Sequence, residues 1–194
     1  MAQTPSTMLA LGAPLPATRL RDVVSDREVD LAQLARGKKG LLVAFICNHC
    51  PYVLHIRSEL VRVAHGALDQ GLAVAFINSN DEAEYPEDGP AEMRKLAAQE
   101  RWRFPFLFDA TQEVARAFEA ACTPDLYLFD SGLKLAYRGQ FDDARPSKPI
   151  QVTGASLTAA IEAVLAGRPP LAEQKPSLGC SIKWKPGHEP SYAP

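Results

Sequence analysis

Residues 41–53, LLVAFICNHCPYV, contain the segment that decides the fold. The apolar run up to Cys47 is uninterrupted, which is typical of a β-strand covered on both faces. From Pro51 the apolar residues recur every three or four positions, which predicts a helix to about Asp69. A second apolar run, LAVAFI, follows at residues 72–77. This order predicts a strand–helix–strand crossover with parallel strands.

The rest of the chain predicts more strands and helices around this crossover. Before the crossover, the sequence predicts a hairpin that turns near Ser25 and Asp26 and a helical turn ending at Gly37. After it come a polar loop over residues 78–89, a helix from Pro90, a short strand at residues 105–108, and a helix begun by the capping pair Asp109 and Gln112 and continuing to Ala121. The last elements are a hairpin that turns at Ser131 and Gly132 and a helix that stops at Gly167. Such alternation predicts an α/β fold, with a mixed central sheet flanked by helices on both faces and an N-terminal hairpin.

The C-terminal residues 168–194 differ in composition from the chain before them. They hold six of the sixteen prolines, so regular structure is not expected there. Leu178 and Trp184 are nevertheless too apolar for a freely solvated linker, so we expect an extended tail that packs on the body. We therefore predict one domain over residues 1–194, with its core at about residues 10–167.

Composition and charge exclude several classes of partner. The chain has 21 basic and 23 acidic residues, a net charge of −2, with no long run of either sign, so nucleic acid and anionic membranes are not expected partners. No basic residue precedes Arg19, which does not fit a secretory signal. The longest apolar run is far shorter than the roughly 20 residues of a membrane span. We predict a soluble, cytoplasmic protein.

Cys47 and Cys50 lie where the predicted strand gives way to the helix. The two thiols could be a redox pair, half of a metal site, or core filler. Structural zinc sites use two such pairs, whereas this chain has one pair plus the isolated Cys122 and Cys180, so redox chemistry is favoured. A helix dipole contributes only about 0.3–1 kcal/mol to a thiolate, and one pKa unit is about 1.4 kcal/mol. Larger activation needs a nearby cation, and His49 is the candidate for this tuning.

The motif CNHC, which encloses Asn48 and His49, resembles the active-site motif of the thioredoxin superfamily. The segments FINSND, EYPEDGP, FPFLFD, CTPDLYLFD, AYRGQFDDARP and PSLGCSIKWKPG extend this resemblance to its peroxiredoxin-like branch, the AhpC/TSA-type proteins. The similarity covers nearly all of residues 10–190.

The resemblance implies a thioredoxin fold with Cys47 and Cys50 as its dithiol–disulfide centre. It also implies that Thr123 and Pro124 form the threonine–cis-proline element that faces this centre. In the family, the backbone before this proline helps to hold an extended partner chain. Thr123 is accordingly predicted to dock the substrate, next to Pro124.

The chain departs from thioredoxin at positions that bear on reactivity. Ile46 replaces the usual tryptophan, and Leu41 replaces the buried aspartate found in many thioredoxins. A histidine before the second cysteine, here His49, is similar to the disulfide-forming oxidases of the superfamily, in which a stabilised thiolate makes the disulfide more oxidising. The direction of electron flow is therefore left open.

A comparison with peroxiredoxins assigns the thiols differently. Cys50 falls at the peroxidatic position, and Cys47 replaces the threonine three residues earlier. The family's proline would fall near Val43, and Arg138 is the arginine suggested beside the thiol. This interpretation lacks two of its supporting residues and is the weaker one.

We therefore predict a thiol–disulfide oxidoreductase that cycles Cys47 and Cys50 against protein or small-molecule disulfides, with Cys47 as the exposed attacker and Cys50 as the resolver. One alternative is a thiol peroxidase, in which Cys50 is oxidised and Cys47 or Cys180 resolves it. A second is a non-enzymatic metal-binding or redox-sensor module that uses the cysteines. Cys122 and Cys180 are favoured as packing residues, with an auxiliary redox role as the alternative. No cofactor or metal is predicted, and the expected partners are a disulfide-containing protein or small thiol and an unidentified reductant.

Overall fold

The computed structural model describes residues 3–193, and its strands and helices largely follow the predicted order. The strands are β1 (Gln3–Pro5), β2 (Arg19–Asp22), β3 (Glu28–Asp30), β4 (Gly40–Phe45), β5 (Ala73–Asn78), β6 (Phe106–Phe108), β7 (Cys122–Thr123), β8 (Asp125–Asp130), β9 (Leu135–Gly139) and β10 (Leu178–Ser181). The helices are α1 (Leu31–Leu34), α2 (Pro51–Asp69), α3 (Pro90–Gln99), α4 (Glu113–Ala117) and α5 (Ala155–Leu165), with a 3-10 turn at Pro86–Asp88. Within residues 3–193, no helix is long and apolar enough to cross a bilayer.

The central sheet has seven strands in the order β3-β2-β6-β5-β4-β8-β9. β4 pairs parallel with β5, and β5 pairs parallel with β6, so the predicted crossover through α2 is confirmed. β8 and β9 form the predicted hairpin and pair antiparallel beside β4, while β2 and β3 form the N-terminal hairpin at the other edge. The sheet is therefore mixed, as expected, and β4 lies inside it with a partner on each side.

Helices cover both faces of this sheet, which explains the uninterrupted apolar run in β4. Successive side chains of a strand point to opposite faces. Leu42 and Ala44 accordingly pack into the cluster that contains α2, α3 and α5, while Val43 and Phe45 pack into the cluster that contains α1 and α4. All four are at most 1% exposed. The fold is the predicted thioredoxin-like α/β arrangement.

The C-terminal tail contains regular structure, which corrects the expectation from its prolines. β10 is the middle strand of a second, three-stranded sheet in the order β1-β10-β7. Ile182 is 3% exposed, and Trp184 packs on the core cluster around α1 and α4. The prolines lie outside residues 178–181, where they remove no donor from the strand.

The predicted capping pair before α4 is only half right. The Asp109 carboxylate accepts hydrogen bonds from two backbone amides at the start of the helix, at 2.9 and 3.4 Å. Gln112 instead has a φ of 62°, and its amide donates to the Lys183 carbonyl oxygen at 2.8 Å. The helix ends at Ala117 rather than Ala121. The Gln112 side chain therefore binds the C-terminal tail instead of capping the start of the helix.

Candidate active site

Cys47 and Cys50 lie at the carboxyl end of β4, where the chain turns into α2. Cys50 immediately precedes the helix, and Pro51 occupies the first helical position, where a missing amide hydrogen removes no helical bond. Cys47 is 1% exposed and Cys50 is 0% exposed. The strand-to-helix placement is as predicted, but the expectation of an exposed Cys47 is wrong, because both sulfurs are enclosed.

Thr123, at the end of β7, and Pro124, which links β7 to β8, face the two cysteines. Their peptide bond is cis, as the resemblance implies. Thr123 Oγ1 lies 3.4 Å from Cys47 Sγ, and the Thr123 carbonyl oxygen lies 3.1 Å from Cys50 Sγ, where it accepts the proton of a neutral thiol. The structure thus brings together four residues that the sequence places in two distant segments.

Cys180, on β10, completes a cluster of three thiols. Cys50 Sγ is hydrogen-bonded to the side chains of both Cys47 and Cys180. Cys122 is not bonded to them; its Sγ donates to the Pro124 carbonyl oxygen at 3.6 Å. All four cysteines are buried free thiols.

Hydrogen bonds within this cluster separate the pKa values of the pair. The bond from Cys47 has the largest effect and lowers the pKa of Cys50 to about 5 against the opposing effect of burial, with help from Cys180 and the backbone N–H of Val53. The same bond, together with burial and the Asp88 charge, raises the pKa of Cys47 well above its ordinary value. The Thr123 carbonyl opposes ionisation of Cys50, but the several donors outweigh one acceptor. Cys50 is therefore the more acidic of the two thiols.

Asp88 anchors the loop between the two cysteines. Its fully buried carboxylate accepts from the Asn48 backbone N–H at 2.7 Å and from the Asn80 amide at 2.8 Å. The Asn48 side chain donates to the Glu87 carbonyl oxygen at 2.8 Å. Asn48 is thus held at both its backbone and its side chain, and its contacts position the loop rather than reach a sulfur.

His49 lies against the same carboxylate and is stacked on an aromatic ring. Its Nδ1 is 2.7 Å from Asp88 Oδ2, a close ion-pair contact that lacks the alignment of a hydrogen bond. The imidazole stacks on Tyr85 with 5.0 Å between centroids and 7° between planes, and Lys183 lies over the same ring at 5.7 Å. The influence of His49 on the thiols stays a prediction.

One set of potential metal donors is present in residues 3–193, and it differs from the all-cysteine set considered above. Donor atoms of Cys47, His49 and Asp88 lie within 4.8 Å of one another. Both carboxylate oxygens of Asp88 already accept hydrogen bonds, from Asn48 and Asn80. These contacts account for the arrangement as a loop anchor.

Arg138 does not take the position suggested by the peroxiredoxin comparison. Its guanidinium is fully buried and bonds Asp125 at 3.2 Å and the Glu119 carbonyl oxygen at 2.8 Å. It also lies 4.6 Å above the centre of the Tyr127 ring. Burial raises the pKa of Asp125, and Arg138 opposes that rise. Arg138 thus forms a buried ion pair with Asp125.

From the sequence, Asp88 belongs to an acidic loop that starts at Asp81 and is more simply just a loop than a border of the site. Nothing in the sequence indicates that, of its five acidic residues, Asp81 and Asp88 are buried. The available signal was the placement of this loop directly after β5, since the carboxyl ends of adjacent parallel strands meet at one edge of a sheet.

The sequence matches the AhpC/TSA family over residues 11–138, which is more than half of the chain. The chain belongs to the AhpC/TSA family. No curated protein matches the sequence significantly.

Solved structures similar to this AhpC/TSA-family chain agree on the fold. An uncharacterized conserved protein from Geobacillus kaustophilus is 49% identical, with a TM-score of 0.93 and coverage of 96% of this chain and 98% of the other. A hypothetical protein from Sinorhizobium meliloti 1021 is 44% identical, with a TM-score of 0.91 and coverage of 95% and 100%. The thioredoxin domain of a thiol-disulfide oxidoreductase from Bacteroides vulgatus is 18% identical, with a TM-score of 0.60 and coverage of 81% and 99%, which supports the thioredoxin-like fold alone.

Proposed function

We propose that this protein is a thiol–disulfide oxidoreductase in which Cys50 is the attacking thiolate and Cys47 is the resolving thiol. The observation that carries the proposal is the opposite pKa shift of the two thiols: Cys47, Cys180 and the Val53 backbone together lower the pKa of Cys50 to about 5, and Cys50 and burial raise that of Cys47. A thiolate is the nucleophile in disulfide exchange, so at neutral pH Cys50 is ready to react and Cys47 is not. This reverses the roles expected by analogy with thioredoxin.

The reaction proceeds by two displacements at sulfur. Cys50 attacks one sulfur of the substrate disulfide, the substrate S–S bond breaks, and one substrate thiolate leaves. The loss of negative charge on Cys50 removes the acceptor that kept the proton on Cys47, and this proton neutralises the leaving thiolate. Cys47 then attacks Cys50 Sγ and releases the second substrate thiol. The substrate disulfide is reduced to two thiols, the pair is oxidised to a disulfide, and a thiol reductant restores it.

Access to Cys50 requires a local opening, because its sulfur is buried. The half-buried residues Asn48 and His49 are the part of the motif that reaches the surface. Asn48 and Glu87 also line a surface cleft of about 340 Å³, which is the approach we assign to the substrate. Loops open at a fraction of the free energy of global unfolding, so such burial is compatible with turnover.

Peroxide reduction is the second candidate, and one observation favours it. Cys50, the peroxidatic position in the peroxiredoxin comparison, is the thiol with the lowered pKa. Its thiolate would attack a peroxide oxygen, break the O–O bond and become a sulfenic acid, which Cys47 would condense with to release water. Against this candidate, Arg138 is paired with Asp125 and supplies no free cation. Disulfide exchange therefore stands first.

A comparison of two substrates tests the proposal. Reduced protein is mixed with a disulfide-bonded peptide or with hydrogen peroxide, and the products are quantified for the wild type, Cys50→Ser, Cys47→Ser and Cys122→Ser. We expect peptide reduction by the wild type and Cys122→Ser, none by Cys50→Ser, and covalent modification at Cys50 in Cys47→Ser. Peptide reduction that survives Cys50→Ser contradicts the proposal, and rapid peroxide turnover without peptide reduction selects the second candidate.

A further inference from the structure

The tail strand β10 carries Cys180 directly to the reaction centre. In the second sheet, Cys180 pairs antiparallel with Thr123 of β7 on one side and with Gln3 of β1 on the other. Thr123 is the residue predicted to hold an extended partner chain. In this structure, the extended chain beside Thr123 is the protein's own tail.

The close approach of β10 depends on a glycine. A Cβ atom on Gly179 would overlap the carbonyl oxygen of Thr123 and would lie 3.1 Å from the nitrogen of Pro124. Any larger residue at this position would therefore push the strand away from the thiols. The fit indicates a built contact between the tail and the residues that face the cysteine pair.

Cys180 and Cys47 are related to Cys50 in the same way. Cys180 pairs with Thr123, whose carbonyl oxygen lies 3.1 Å from Cys50 Sγ and whose hydroxyl lies 3.4 Å from Cys47 Sγ, and both neighbouring thiols lower the pKa of Cys50. Cys122 is equally buried but bonds a backbone carbonyl instead. Cys180 is 3% exposed and belongs to the same buried cluster as Cys47 and Cys50, so its thiol faces the pair rather than solvent.

We propose that Cys180 is a third redox residue, which attacks Cys50 Sγ and forms a Cys50–Cys180 disulfide as an alternative to Cys47–Cys50. The proposal rests on the proposed function, which supplies the mixed disulfide between Cys50 and a substrate thiol. Cys180 attacks Cys50 Sγ, the bond from Cys50 to the substrate sulfur breaks, and the substrate leaves as a thiol that carries the proton lost by Cys180. The substrate disulfide is the oxidant, so no other reactant is needed.

Burial and the neighbouring Cys50 raise the pKa of Cys180 to about 12 while Cys50 is a thiolate. Formation of the mixed disulfide removes that charge. The hydrogen bond and the charge repulsion from Cys50 then disappear while the effect of burial remains, so the pKa of Cys180 falls and its thiol becomes more nucleophilic after Cys50 has reacted. This order prevents Cys180 from reacting ahead of Cys50.

The test traps the product in variants that lack Cys47. Reduced Cys47→Ser, Cys47→Ser/Cys180→Ser and the matched control Cys47→Ser/Cys122→Ser are treated with hydroxyethyl disulfide, quenched with acid, and analysed by intact mass and peptide mapping. We expect a Cys50–Cys180 disulfide in the first and third proteins, and loss of that disulfide with a persistent mercaptoethanol adduct on Cys50 in the second. Disulfide mapping of the oxidised wild type provides a second measurement that requires no substitution; it should contain Cys50–Cys180 beside Cys47–Cys50.

Two results would overturn the inference in distinguishable ways. An adduct that persists on Cys50 in Cys47→Ser, with Cys180 free and only Cys47–Cys50 in the wild type, refutes the role of Cys180 and leaves the proposed function intact. The absence of any adduct or disulfide at Cys50 in all variants refutes the proposed function and this inference with it.

Discussion

The ionisation of Cys50 should depend on the hydrogen-bond donor at position 47. The pKa of Cys50 falls from 9.0 to about 5, and four units at about 1.4 kcal/mol each amount to roughly 6 kcal/mol. A hydrogen bond to a charged group contributes about 1.5–3 kcal/mol, so Cys47, the largest single influence, accounts for about one to two units. Cys47→Ala should therefore raise the pKa of Cys50 to roughly 6–7. Cys47→Ser keeps a hydroxyl donor and should leave the pKa near its wild-type value.

The assay is the ultraviolet absorbance of the thiolate in reduced protein, followed from acid to alkaline pH. Cys50→Ser gives the baseline. The pKa values of Cys122 and Cys180 are raised, so neither thiol ionises at acidic pH.

The lowered pKa of Cys50 also makes the free energy of unfolding depend on pH. The folded pKa of Cys50 lies below its unfolded value, so its stabilising contribution is complete above about pH 9 and is lost as the pH falls towards about 5. Cys47→Ala should make this loss smaller and complete it at a higher pH, because only the folded pKa changes. A thiolate that persists in Cys50→Ser and disappears in Cys47→Ala would refute the assignment.

Three other substitutions test contacts around the centre. Gly179→Ala should displace β10 from Thr123 and make the tail cysteine reactive towards iodoacetamide in the native protein, as measured by mass spectrometry. Arg138→Met should lower the free energy of unfolding in urea by about 3–5 kcal/mol, because it leaves Asp125 buried without its partner. Asp88→Asn should lower it by about 1–3 kcal/mol in the same measurement, because an amide cannot accept at both oxygens of the loop anchor.

Each of these predictions has a control and an outcome that contradicts it. Gly66→Ala, in α2, meets nothing within 4 Å and should leave the tail cysteine protected; equal protection in Gly179→Ala would show that the strand contact is not tight. Arg138→Met combined with Asp125→Asn should recover part of the lost stability, and no recovery would mean that lost packing dominates. For Asp88→Asn, unchanged stability would show that the carboxylate does not anchor the loop.

Periodicity predicted most of the elements because each depends on local sequence. The apolar run before Cys47 predicts a strand buried on both faces, and the apolar spacing after Pro51 predicts a helix buried on one face. The structure has these elements as β4 and α2. The tail could not be predicted in this way. β10 is stabilised by strands far away in sequence, and nothing in residues 178–181 identifies β1 and β7 as its neighbours.

The residues of the site were predicted better than their roles. Spacing placed Cys47 and Cys50 at one junction, and the resemblance placed Thr123 opposite them, but spacing carries no information on which thiol donates to the other. That depends on contacts made across the fold, with Cys180 lowering the pKa of Cys50 and Asp88 raising that of Cys47. Opposite shifts in two neighbouring thiols need a three-dimensional environment to separate them.

The second sheet joins the two extremities of the chain beside the reactive sulfurs. Residues 3–5 and 178–181 are adjacent strands, and the latter touches Thr123. Removing residues 3–5 or 178–181 should therefore alter thiol reactivity even though the central sheet stays whole. In this fold, residues 3–5 and 178–181 are far from the cysteine pair in sequence, but a change in either strand acts next to the pair.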